Sequence, residues 1–224
     1  MKILFFLLLF LLNIFNAGAS MFNKLAVNEF AESSKCIMHF AKYEKQYDIP
    51  KDLLYSISLR ETGKKHTEAN KTIVWPWTLN IDGKGYYFNN KFEAIKFAKK
   101  AISEGVKNID VGCMQINMKY HKNNFRSLAH AIEPKFNIAF GAKFLRDQYD
   151  RLGSWKQAVA AYHSSDAEKG SKYLSGVLKI ASNIEKHKFH RRPINGFFDS
   201  RGRLARFPPL YKSQYSALYK KKKS

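Results

Sequence analysis

Apolar residues recur at helical spacing over most of the chain, with one long interruption. Between residues 32 and 47, Cys36, Phe40, Tyr43 and Tyr47 fall three or four positions apart, the period of one helix face. Asp48-Ile49-Pro50 breaks that run, and Pro50 suits the first turn of a second helix, through DLLYSISLRE, that stops near Gly63. Residues 64–91 mix turn formers with aromatics and show little helical period, which predicts loop with a small hairpin at Asp82-Gly83. Helical order returns with Phe92, Ile95, Ala98 and Ile102 and ends at Gly105. NIDVGCMQIN reads as extended or turn-rich, SLAHAI as a short helix before Pro134, and Phe136, Phe140 and Phe144 as a face of a longer helix stopped by Gly153. Ser154 is placed to cap the next helix, in which Trp155, Val159 and Tyr162 share a side, and Tyr173, Val177, Ile180 and Ile184 stripe the last. The expectation is a mainly α fold, a helical bundle of about seven helices with a small irregular or β lobe.

The two ends differ from this middle. Residues 1–19 carry one charge, Lys2, an apolar run from Ile3 to Phe15 broken only by Asn13, and the small residues Ala17-Gly18-Ala19. That is the pattern of a cleaved secretory signal peptide, and the run is shorter than the roughly 20 residues a membrane span needs. Residues 20–33 read as a leader, 34–187 as the folded domain and 188–224 as a basic, extended tail. From Lys186 onward, 12 Lys and Arg stand against one acid, Asp199, among repeated prolines and glycines. Over the whole chain 39 Lys and Arg against 18 Asp and Glu give a net charge of +21, which favours a negatively charged partner or surface. Two cysteines exclude a disulfide-framework miniprotein and a Cys-built zinc site. Export favours a Cys36–Cys113 bridge over two separate buried thiols.

Glu61 stands out. Helical steps place it on the stripe of Ile57, Leu54 and Leu53, facing the core at the C-terminal end of its helix. Desolvation and the negative end of the helix dipole both push such a carboxyl toward its protonated form, which is what a general acid needs. The plain alternative is a terminal glutamate paired with Arg60 or Lys64. Farther on, Val111 to Asn117 alternates apolar and polar residues, which would set the amides of Gln115 and Asn117 on one side, suited to sugar hydroxyl and acetamido groups. Tyr162 brings a hydroxyl on an otherwise apolar helical face.

The order Glu61-Thr62-Gly63, then Gly112-Cys113-Met114-Gln115-Ile116-Asn117, then Ala158 to Tyr162 resembles the soluble lytic transglycosylase family over roughly residues 34–180. Trp75-Pro76-Trp77-Thr78-Leu79-Asn80, followed by Gly85 and Phe88, is similar to one exported bacterial branch of it. The resemblance implies an α+β, lysozyme-like fold with a substrate cleft. It also implies an enzyme that cleaves the β-1,4 bond between N-acetylmuramic acid and N-acetylglucosamine in peptidoglycan, forming a 1,6-anhydro product. Carried over, Glu61 is the sole acid/base, Gln115 and Asn117 are sugar-contacting amides, and Met114 lines the cleft floor. Tyr162 is the tyrosine near the carboxylate, and Thr62 replaces the usual serine while keeping the hydroxyl. Trp75, Trp77, Tyr86 and Tyr87 could stack on sugar rings, and Trp75 and Trp77 are the favoured candidates. His163 departs from the pattern, standing where asparagine commonly follows the tyrosine.

No metal or cofactor is implied. The alternatives are a hydrolytic muramidase of the same fold and a non-catalytic, wall-binding scaffold of a secretion apparatus. Expected partners are peptidoglycan glycan strands, anionic lipid or wall contacted by the basic tail, and secretion-system components. Nucleic acid is the rival polyanion, given the tail's Tyr211, Tyr215 and Tyr219, but export and the lack of a binding motif argue against it. The expected location is the periplasm.

Overall fold

The computed structural model describes residues 28–67 and 69–188. The expected signal peptide, and the expected tail beyond Lys188, lie outside the described residues. Residues 32–65 and 71–188 form one compact unit. A second unit takes in the described residues 28–31, 66, 67, 69 and 70, where the Glu29 carboxylate accepts from the Thr67 N–H at 2.8 Å.

The described residues begin in α1, helical over residues 28–46, so residues 28–33 of the expected leader are part of that helix. Helix α2 (Leu53–Thr62) follows the break predicted at Asp48-Ile49-Pro50. Its N-cap residue, Asp52, has a left-handed φ of 65° and contributes no side-chain cap. The buried Glu44 of α1 takes that role, accepting from the N–H groups of Asp52 (3.1 Å) and Leu54 (3.0 Å).

The lobe after α2 holds more strand than the sequence pattern predicts. β1 (Lys64–Lys65) pairs with β2 (Thr72–Ile73). β3 (Thr78–Ile81), β4 (Lys84–Tyr87), β5 (Ile109–Val111) and β6 (Ile116–Asn117) form an antiparallel sheet in the order β4-β3-β5-β6. The predicted hairpin is there, its turn made by Asp82 and Gly83 with φ of 49° and 88°. Trp75 and Trp77 sit in this lobe at 3% exposure each. Trp75 Nε1 donates to the Phe88 carbonyl (2.7 Å) and Trp77 Nε1 to the Glu32 carboxylate (2.5 Å). Neither offers a ring face to a sugar, so both are core residues and the stacking role expected of them is withdrawn.

Helix α3 (Lys91–Ser103) forms where predicted, but of the expected stripe Phe92, Ile95, Ala98 and Ile102 only Ala98 is fully buried. Ala94, Ala98 and Ala101 are buried, while Phe92 and Ile102 are 75% and 49% exposed. Small side chains let a helix backbone lie close to its neighbour. The remaining elements are α4 (Met118–His121), a short 3₁₀ turn at Lys122–Asn124, α5 (Leu128–Ala131), α6 (Pro134–Leu152), α7 (Trp155–His163), α8 (Ala167–Ala181) and α9 (Ile184–His187). Ser154 occupies the N-cap position of α7 as expected, although its hydroxyl makes no capping bond. The core joins Leu54 and Ile57 of α2, Leu79 and Val111 of the sheet, Ile138 and Leu145 of α6, Val159 of α7 and Val177 of α8.

Cys36 of α1 is bonded to Cys113, in the turn between β5 and β6, with Cα atoms 6.1 Å apart and a sequence separation of 77. Closing a loop of that length constrains the unfolded chain. Reduction, or replacement of both cysteines by alanine, is therefore expected to lower the unfolding free energy by about 2–4 kcal/mol in urea denaturation.

Candidate active site

Four segments meet around the end of α2. Glu61 lies one residue before its C-terminus, beside Arg60, whose side chain is exposed. The Glu61 residue keeps partial exposure, while its carboxyl group lies deep enough for desolvation to govern its titration. Burial raises its pKa from the ordinary 4.5 to about 7; a hydrogen bond from Tyr173 and the charge of Arg60 oppose the rise, and Asp110 adds to it. The Tyr173 hydroxyl, on α8, donates to Glu61 Oε1 at 2.5 Å. Tyr173 is 3% exposed, and burial together with the Glu61 charge pushes its phenol well above the usual range, so it remains a donor.

The turn between β5 and β6 is braced from three sides. Asn137 of α6, fully buried, accepts from the Met114 N–H (2.8 Å) and donates to the carbonyls of Val111 and Ala131 (2.8 Å each). Gly112 has φ of 76°, and a Cβ there would lie 2.6 Å from Asn137 Nδ2, so the turn needs glycine on two counts. Ser58 Oγ of α2 donates to the Cys113 carbonyl (2.7 Å), tying this turn to the helix that carries Glu61 one turn later. Tyr162 of α7 donates to the Met114 carbonyl (2.9 Å).

Several residues expected to contact substrate are therefore structural. Met114 is fully buried and lies beneath the site. Thr62 is fully buried too, its hydroxyl donating to the Ser58 carbonyl (2.9 Å) and accepting from the Trp75 N–H (3.2 Å). The Asn117 Nδ2 donates to Asn108 Oδ1 and Asp110 Oδ1 (2.7 Å each), and its Oδ1 accepts from the Lys119 N–H (2.9 Å). Gln115 is not on an alternating strand but in the turn, with φ of 45°. Its Nε2 donates to the carbonyls of Gly112 (3.0 Å) and Thr78 (3.2 Å), which leaves Oε1 as the end to meet a ligand. Tyr162 is near enough for the Glu61 charge to raise its pKa, yet its hydroxyl serves Met114; the phenol on the carboxylate is that of Tyr173.

Two participants, Tyr173 and Asp110, were not recognised from sequence. Tyr173 falls on an apolar stripe and reads as packing. Asp110 reads as loop, but in β5 it pairs with Asn80 and Asn117, and burial raises its pKa while the Asn117 bond opposes that. Tyr87, 48% exposed, donates to the carbonyl of Gly63, just past α2, at 3.2 Å. Among the described residues no group of three or more His, Cys, Asp or Glu is arranged to hold a metal ion.

One family model matches the chain, Transglycosylase SLT domain, and it spans the segment that supplies the braced turn and both tyrosines. The match to the Transglycosylase SLT domain model covers residues 95–177. The mainly helical architecture with small antiparallel sheets agrees with the lysozyme-like fold of such domains. No curated protein and no solved structure matches the chain. The SLT domain implies transglycosylase activity on peptidoglycan. Its matched span runs from within α3 into α8 and holds Asp110, Gln115, Tyr162 and Tyr173, whereas Glu61 lies N-terminal to it and is brought to it by folding.

A carboxyl whose pKa is raised on folding holds its proton in the native state after the unfolded chain has released it. Its contribution to stability is therefore lost as pH rises from about 4.5 to about 7. Glu61→Gln keeps an acceptor for Tyr173 and avoids burying a charge. The variant is expected to gain about 1–3 kcal/mol over the native chain at about pH 8 and little at about pH 5, measured by urea denaturation. Equal stabilities at both values would mean that the carboxyl is not desolvated.

Proposed function

We propose that the chain is a lytic transglycosylase that cleaves the N-acetylmuramic acid–N-acetylglucosamine β-1,4 bond of peptidoglycan, with Glu61 as general acid and then general base. The observation that carries this reading is a carboxyl raised to about 7 and held by a phenol at 2.5 Å, beside the turn of an SLT domain. A group poised near neutrality can both give and take a proton at working pH.

In this reading protonated Glu61 donates to the glycosidic oxygen as the bond to the muramoyl C1 breaks, releasing the N-acetylglucosamine 4-hydroxyl. The neighbouring acetamido oxygen stabilises C1. The Glu61 carboxylate next takes the proton from the muramoyl C6 hydroxyl, whose oxygen bonds to C1, closing the 1,6-anhydro ring and restoring the acid. Gln115 Oε1 accepts from a sugar N–H or O–H. Tyr87, the half-exposed aromatic pinned to the end of α2, takes the stacking role that Trp75 and Trp77 cannot. A periplasmic location, reached through residues 1–19, belongs to the same proposal, as do wall or anionic-lipid contacts made by the basic tail and a place beside a secretion apparatus.

Asp110 favours a second reading. Most glycosidases use two carboxyl groups, and Asp110 is a half-buried carboxyl whose charge acts on Glu61. Were it to direct a water to C1, the same site would be a muramidase.

Purified protein incubated with murein sacculi is expected to release anhydromuropeptides, seen by mass spectrometry, and Glu61→Gln to abolish release. Reducing-end products alone would select the muramidase; full activity of Glu61→Gln would end both readings. The first step needs the protonated acid, so kcat/KM should fall as pH rises through about 7.

On soluble glycan oligomers, Tyr87→Ala is expected to raise KM by up to about tenfold with little change in kcat, and Tyr87→Phe to stay near the native value. A loss confined to kcat would remove Tyr87 from the binding role.

A further inference from the structure

His163 is the last residue of α7 and follows Tyr162 directly, at the position where this chain departs from the family pattern. Its imidazole lies parallel to the Tyr173 ring, centroids 4.5 Å apart and planes 2° from coplanar. His163 is exposed and Tyr173 is 3% exposed, so the imidazole covers a face of the phenol on its solvent side. The far end of that phenol is the donor to Glu61 Oε1. We propose that His163 is a positioning residue, its ring stacked on Tyr173 so that the phenol stays on the Glu61 carboxyl.

The inference deepens the reading of Glu61 as the acid and rests on it. The mode of action follows from the surroundings. Burial, then the charges of Arg60 and Lys169, hold the pKa of His163 below its ordinary 6.5, so the ring is mostly neutral where Glu61 titrates. It acts by covering and stacking, not by charge. On α8, Gly176 leaves room for Arg60, whose Nε would lie 3.0 Å from a Cβ at that position, so the guanidinium lies close to α8 one turn beyond Tyr173. The groups acting on Glu61 are thus Tyr173 of α8, Asp110 of β5 and Arg60 of α2 itself, with the Tyr162 phenol of α7 also within reach of its charge. Donation from Tyr173 favours the carboxylate. If the phenol is freed to leave its rotamer or to bond water, desolvation and Asp110 are opposed by Arg60 alone, and Glu61 holds its proton more tightly.

The test is the titration of Glu61 itself, followed by NMR of ¹³C-labelled glutamate carboxyls in the full chain without substrate, with Glu61→Gln assigning the resonance. Tyr173→Phe marks the full effect of losing the donor. His163→Ala and His163→Asn are expected to raise the Glu61 midpoint toward that limit, by about threefold or more in proton affinity. His163→Phe, which keeps an aromatic face and no charge, is expected to restore the native midpoint. An exposed side chain at a helix end is a mild place to substitute, and circular dichroism of each variant confirms the fold. A native midpoint in both His163→Ala and His163→Asn overturns the proposal, as does a His163→Phe midpoint displaced as far as that of alanine. Because no substrate is involved, a chain that shows these midpoints yet leaves sacculi intact refutes the murein reading and not this one. The converse pattern refutes this one alone.

Discussion

A carboxyl group at the C-terminal end of a helix, among apolar neighbours, is held by one phenol, and the rest of the site is arranged around that bond. Helix α2 shows why the arrangement is unusual. At its N-terminal end the buried Glu44 accepts two backbone N–H groups and meets the positive end of the helix dipole. Burial raises its pKa as well, and the hydrogen bonds from Asp52 and Leu54 oppose the rise. Glu61 stands at the opposite end, where the dipole disfavours a negative charge and burial is the leading influence on its pKa. One is placed for stability. The other is placed against it, which is where catalytic groups are found.

Such a group needs a rigid surround, and here the residues of the GCMQIN signature supply backbone more than side chains. Gly112 makes room for Asn137, the carbonyls of Cys113 and Met114 accept from Ser58 and Tyr162, and the Met114 N–H donates to Asn137. Gln115 adopts a left-handed conformation that its own side-chain amide helps to close. The disulfide anchors the same turn to α1. Helices α1, α2, α6 and α7 thus all hold one short turn, which follows directly on β5, the inner strand whose Asp110 charge acts on Glu61. The signature is demanding because its residues satisfy a tightly packed turn, and a ligand contact at Gln115 is compatible with that.

Much of this was legible in the chain. Helices form where the three-to-four-residue spacing predicts them, because burying one face requires that spacing whatever the partner. The hairpin at Asp82-Gly83 was legible because positive φ at both positions restricts the residues allowed there. The anomaly of Glu61 was legible because a charge on an apolar stripe is visible without coordinates. The face of α3 was not legible: burial of Phe92 or of Ala94 depends on how near the sheet lies, and sequence does not encode that distance. Nor were the tryptophans, since an indole beside a proline reads alike whether its N–H meets water or the Glu32 carboxylate.

The sequence by itself determined the helical period, the breaks between elements, the cysteine pair and the one carboxyl out of place, all properties of residues near one another in the chain. Tertiary structure decided which hydroxyl reaches that carboxyl. Tyr162 and Tyr173 both lie on apolar faces of consecutive helices, and only the packing of α8 against α2, and of α7 against α6 and α8, gives Met114 to one and Glu61 to the other. It also brought Asp110 within range of Glu61, buried Thr62 and Met114, and bonded Asn117 to Asn108 and Asp110. A hydrogen bond acts over about 3 Å, and only the folded chain sets distances that fine between residues 112 positions apart.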